Sequence, residues 1–105
     1  MTKYGSSRTY VDGIPFASKA EARRYGELKQ MIAAGEIEQL ECHPKYVIEV
    51  SGVKVCSYIA DFKYLDRRTG EWITEDVKGV RTAVYRLKRK LMMVVHGIEI
   101  TEIAV

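Results

Sequence analysis

The stretch from Lys45 to Lys78 constrains the fold most, because it holds three β-rich segments separated by breaks too short for a crossover. Lys45 to Val50 is the first, and Ser51-Gly52 turns the chain into the second, Val53 to Leu65. Asp66-Arg67-Arg68-Thr69-Gly70 is the next turn, and Glu71 to Lys78 is the third segment. Parallel pairing needs a connection of about a dozen residues or more, so the three strands are expected to pair as an antiparallel meander. Before them, Tyr10-Val11-Asp12-Gly13-Ile14 reads as a hairpin around a tight Asp-Gly turn. Ser18 to Ala34 reads as a helix with Ser18 as N-cap, Gly35 as stop, and Tyr25, Leu28 and Ile32 on the core side. A second helix is expected over Arg81 to Val95, with Val84, Leu87, Leu91 and Val94 as its apolar stripe and Gly97 as its end. Ile98 to Val105 alternates as a last strand. The order is α-β-β-β-α-β, an α/β fold with helices flanking the sheet.

At 105 residues the chain fits one domain, expected over residues 9–105 behind a flexible, basic N-terminus at residues 1–8. No apolar run approaches the roughly 20 residues that span a bilayer, so no membrane partner is expected. Met1 to Arg8 has no apolar stretch behind it, so no secretory signal is read there. Cys42 and Cys56 lack metal-ligand spacing and read as reduced thiols. A cytoplasmic location follows as an expectation.

The net charge of +3 hides an uneven layout. Lys78, Arg81, Arg86, Lys88, Arg89 and Lys90 follow one another with no acid among them, whereas Glu27 to Glu49 is acidic. A basic block on a near-neutral chain points to a polyanionic partner at one face.

Side-chain direction then singles out a possible site. Alternation along the third strand puts Asp76 and Lys78 on one face, Glu75 and Val77 on the other. Asp61 interrupts the apolar run Tyr58-Ile59-Ala60-Asp61-Phe62, and a buried carboxylate is costly unless it is paired or binds a metal. Two carboxylates on adjacent strands repel, and a divalent cation relieves that repulsion. Hard carboxylate oxygens suit Mg²⁺, with Mn²⁺ as a second acceptable ion. A neighbouring lysine orients a water or stabilises charge in the transition state, so the trio suits phosphodiester hydrolysis.

Asp61 followed by Asp76-Val77-Lys78 resembles the split signature of the PD-(D/E)xK nuclease superfamily, and the element order matches it as well. More closely, the chain is similar to a small phage and prophage endonuclease domain related to Holliday junction resolvases. That similarity runs from about Tyr10 to Glu102, through Val11-Asp12-Gly13-Ile14, Ser18-Lys19-Ala20-Glu21-Ala22-Arg23-Arg24-Tyr25, Tyr58-Ile59-Ala60-Asp61-Phe62 and Glu75-Asp76-Val77-Lys78-Gly79. The superfamily's proline before the first aspartate is Ala60 here, and the acid of the triplet is Asp76 in place of the commoner glutamate.

The resemblance implies a restriction-endonuclease-like core and a Mg²⁺-dependent DNA endonuclease. It implies Glu21, Asp61, Asp76 and Lys78 as catalytic residues, and a metal at Asp61, Asp76, Val77 and Glu21. Arg81, Thr82, Tyr85, Arg86, Lys88 and Arg89 of the second helix become candidate DNA contacts, with Lys88 at the active-site end. With no room for a base-reading domain, selectivity is expected for DNA structure, such as four-way junctions. Cutting two strands implies a homodimer, acting in a bacterial host if phage-encoded. Glu21 keeps a competing role, since Ser18-Lys19-Ala20-Glu21 is also a capping box. Glu75 reads as a solvated strand residue, and His43 and His96 as structural. The alternative function is a non-catalytic DNA-binding accessory of phage replication or packaging.

Overall fold

The computed structural model of the protein describes residues 8–105, so the expected flexible segment lies outside the described residues except for Arg8. The expected hairpin is present as β1 (Thr9–Val11) and β2 (Ile14–Phe16). Asp12 and Gly13 both take positive φ, 52° and 75°, the turn whose twist matches two antiparallel strands.

Helix α1 (Lys19–Ala33) starts where expected, with the Ser18 hydroxyl accepting the Glu21 amide at 3.2 Å. It stops at Gly35, whose φ of 75° lets its own amide reach Ile32 O and the Glu36 amide reach Met31 O. These two bonds close the last helical turn in the Schellman manner. Tyr25 and Leu28 are buried as expected, but Ile32 is exposed because it lies in that last turn, beyond the edge of the sheet core.

The remaining elements are β3 (Ile37–Cys42), β4 (Lys45–Val50), β5 (Val53–Ile59), β6 (Phe62–Asp66), β7 (Trp72–Lys78), α2 (Ala83–Leu91) and β8 (Ile100–Ala104). A π-helical turn, Met92–His96, extends α2. Four strands form one sheet in the order β3-β6-β7-β8, antiparallel except for the parallel β7–β8 pair. β4 and β5 form a separate hairpin. The protein is thus a mixed α/β fold with two α-helices and a mostly antiparallel sheet that contains one parallel pair.

Two expectations about the meander are corrected. Its first strand is β3, absent from the periodicity reading, and not Lys45–Val50. The reason is a bulge: the register of β3 against β6 shifts between Glu38 and Glu41, and Gln39 takes a φ of 56°. The extra residue spaces the inward positions Ile37, Leu40 and Cys42 by three and then two, which hides the period of two. The second correction is that Val53 to Leu65 is not one strand but breaks at Ala60-Asp61. The break is laced to the β3–β4 turn, where the His43 amide donates to Asp61 O at 2.9 Å and the Ala60 amide to Pro44 O at 3.1 Å. Both strands of the hairpin therefore leave the sheet at one level, and β4–β5 swings out as a unit.

Helix α1 covers one face of the sheet, burying Phe16, Tyr25, Leu28, Ile37, Phe62 and Tyr64. Helix α2, its π turn and the β4–β5 hairpin cover the other, burying Ile48, Tyr58, Ala60, Tyr85, Met92 and Ile100. The expected apolar stripe of α2 holds at Leu91, which packs partly buried against this second cluster, and fails at its other three positions. Val84 and Leu87 are 63% and 59% exposed, and Val94 is exposed too, whereas Met92 is fully buried and Tyr85 nearly so. Two stripes competed for the core, and the sheet accepted the one with the larger ring and the longer thioether. Leu87→Ser should therefore shift chemical denaturation by no more than about 0.5 kcal/mol, against about 2–5 kcal/mol for Met92→Ala. Among the described residues no helix is long and apolar enough to cross a membrane.

Candidate active site

The site forms where the strands break. Asp61 stands just before β6, with its amide donating to Glu75 O at 3.0 Å. Its Oδ2 accepts the Val77 amide at 2.6 Å, so the middle residue of the triplet holds the first aspartate through its backbone. One residue away on β7, Asp76 is buried and points to the α2 face, as alternation required. The Tyr58 hydroxyl donates to Asp76 Oδ2, and Lys78 Nζ lies 3.1 Å from Asp76 Oδ1. Burial and the neighbouring Asp76 carboxylate push the Tyr58 hydroxyl well above the usual phenol range, so it stays a donor. Lys78 Nζ also sits 4.2 Å from the centre of the Tyr85 ring, a cation–π contact that fixes the ammonium beside the carboxylate.

Glu21 reaches the same place from the first turn of α1. Only half of the capping box is made among the described residues, the Ser18 hydroxyl accepting the Glu21 amide. The Glu21 carboxylate turns instead toward Asp61 and His43, and one ligand atom from each of the three lies within 4.8 Å of the others. Burial raises the Asp61 carboxyl to about 8; the Val77 amide opposes this, and repulsion from Glu21 and Asp76 adds to it. This donor set fits a divalent cation: carboxylates held together against their own repulsion, one of them ionised only at a cost. Glu21, Asp61 and Asp76 are the acids that would hold it, although Asp76 lies outside the tightest cluster and is engaged by Tyr58 and Lys78.

Asp61, Asp76, Lys78, Thr82, Tyr85 and Lys88 line one cleft of 370 Å³. Of the candidate DNA contacts, Lys88 opens onto it as expected. Thr82 is mainly the N-cap of α2, its hydroxyl accepting the Tyr85 amide at 3.1 Å. Tyr85 is no free contact, since it is buried and donates to Glu102 at 2.7 Å. Arg86 and Arg89 line a different hollow with Lys90, Met93 and Glu99. Glu102 also binds Arg81 at 2.8 Å and Arg89 at 3.1 Å, so one carboxylate gathers two of the predicted phosphate contacts. Glu102→Gln should release both charges, tighten binding to duplex DNA at low salt, and steepen its salt dependence in fluorescence anisotropy titrations.

Glu75 is corrected. It does lie on the face opposite Asp76, but it is fully buried and not solvated. Arg24 grips it with two nitrogens, at 2.9 and 2.7 Å, and the Tyr64 hydroxyl donates to it. The pair pins α1 to β7 one turn from Glu21. Tyr58, Glu102 and the Arg24–Glu75 pair went unrecognised in the sequence. Only Tyr58 left a signal there, as the other polar-tipped residue in the apolar run before Asp61.

A family model described as "Protein of unknown function (DUF1064)" matches residues 1–102. The chain belongs to this family. No curated protein matches it. The family match covers α1, the hairpin, α2 and the sheet up to the last two residues of β8, so every residue of the cleft falls within it.

Proposed function

We propose that the protein is a metal-dependent DNA endonuclease with a restriction-endonuclease-like core. The observation that carries this reading is the convergence of Asp61, Asp76, Lys78 and Glu21, from three separate points of the chain (α1, the β5–β6 break and β7), on the place where the β4–β5 hairpin leaves the sheet. When bound, a divalent cation supplies an acidified water and offsets charge growing on a phosphorus. The chain's own groups do the rest. Lys78, held by Asp76 and the Tyr85 ring, presents one ammonium to an attacking water or a non-bridging phosphate oxygen. Lys88 at the cleft and the exposed Arg86 contact phosphates to either side. The proposal extends to branched DNA as preferred substrate and to a homodimer, because resolving a junction takes two cuts.

The test is cleavage of a four-way junction, a flap, a duplex and a single strand, each with Mg²⁺, Mn²⁺ or EDTA, by the wild type and Asp76→Asn. Metal-dependent cutting of the junction that disappears in the variant is the expected result. Cutting all four alike retains the nuclease and removes the junction preference. No cutting, with salt-sensitive binding intact, moves the assignment to a non-catalytic DNA-binding accessory.

A further inference from the structure

We propose that His43 is a ligand at this site, so that the cation is held by one imidazole nitrogen and two carboxylates, and that Mn²⁺ is favoured over Mg²⁺ as a result. The identity of the site rests on the nuclease reading, but the coordination does not.

His43 comes from the β3–β4 turn, an element that shares no local pattern with the aspartates. Its Nε2 lies 4.0 Å from Glu21 Oε1. That is too long for a hydrogen bond, and it is close to the span of two donors lying roughly 2.1 Å either side of one ion. Among the described residues the ring nitrogens make no hydrogen bond that would aim the ring elsewhere. The ring is nevertheless held: its centroid lies 5.6 Å from that of buried Phe16, and the backbone amide is tied to Asp61 O at 2.9 Å. The turn also keeps His43 at a φ of 56°, a left-handed conformation uncommon outside glycine but one in which asparagine, aspartate and histidine are enriched. The imidazole is thus delivered by the same lacing that breaks β5 from β6 at Asp61.

The donor type decides the metal. Mg²⁺ prefers oxygen ligands throughout and keeps its waters; Mn²⁺ shares the preference for oxygen, but it is a first-row transition ion, the lowest member of a series whose later members take imidazole readily. A nitrogen donor beside Glu21 and Asp61 therefore raises Mn²⁺ binding and contributes little to Mg²⁺ binding.

The experiment uses the full chain, with His43→Asn as the main variant because asparagine also tolerates the left-handed turn, and His43→Ala as a second. Circular dichroism checks that both remain folded. Isothermal titration with each metal is combined with pulsed electron paramagnetic resonance of the Mn²⁺ form. The wild type should show coupling of Mn²⁺ to one imidazole nitrogen, absent in both variants. Mn²⁺ affinity should fall by at least about 10-fold, since even the loss of a partner behind a ligand costs that much, while Mg²⁺ affinity stays within about threefold. Mn²⁺ bound in an Asp61-dependent way without nitrogen coupling overturns the ligand assignment and leaves the nuclease reading standing. Nitrogen coupling without cleavage of any DNA does the reverse. Failure to bind either metal overturns both.

Discussion

Asp61→Asn is expected to abolish cleavage, by on the order of 10³-fold or more, and at the same time to make the metal-free protein more stable above pH 8. The two effects share one cause. In the folded chain the Asp61 carboxyl is raised from 3.8 to about 8, chiefly by burial. The folded state therefore holds a proton that the unfolded state has released. That contribution to stability is fully present below about pH 4 and is lost as pH rises through about 8. Asparagine carries no such penalty, and its side-chain oxygen still accepts the Val77 amide. After discounting for the water that reaches the cleft, the gain at pH 9 should be on the order of 2 kcal/mol. Thermal unfolding from pH 5 to 9 checks it: the wild type should lose stability across that range and the variant should stay flatter. A divalent cation should close the gap by restoring the wild type alone. A variant less stable than the wild type at pH 9 would show that the carboxylate is not strained there.

The second large effect belongs to a pair outside the cleft. Arg24→Met should destabilise the protein by about 3–5 kcal/mol, because it leaves the Glu75 carboxylate buried with its charge uncompensated. For a domain of about 100 residues that is a fall in Tm of more than ten degrees, at roughly 4–8 °C for each kcal/mol. Arg24→Met with Glu75→Gln should recover most of the loss, since glutamine keeps the Tyr64 hydrogen bond without the charge. The double-mutant cycle measures that coupling directly. If the single variants simply add, the pair is not a unit. The single variant should also cut less well at temperatures where it remains folded. Arg24 lies three residues from Glu21 on α1, and the grip on β7 sets where Glu21 meets Asp61.

Several features of the fold were determined by the sequence alone, and each depends on forces that act over a few residues. Asp12-Gly13 and Ser51-Gly52 both adopt paired positive φ values, so the two hairpin turns follow from local backbone preference. Ser18 and Gly35 bound α1 through hydrogen bonds that reach no further than one turn. Alternation along β7 separates Asp76 from Glu75 because the pleat leaves no other choice. These rules were enough to place Asp61, Asp76 and Lys78 near one another.

Tertiary structure decided what depends on a partner surface. Whether α2 buries Tyr85 and Met92 or Val84 and Leu87 turns on how each stripe fits the sheet, which spacing does not encode. The β3 bulge is a property of its register against β6, and the break at Asp61 of its lacing to the β3–β4 turn, both set by long-range pairing. Glu75 is buried because Arg24, 51 positions away in the chain, reaches its carboxylate. His43 reaches the site by the same route: no local pattern marks it, and only the lacing of its turn to Asp61 brings an imidazole beside the carboxylates.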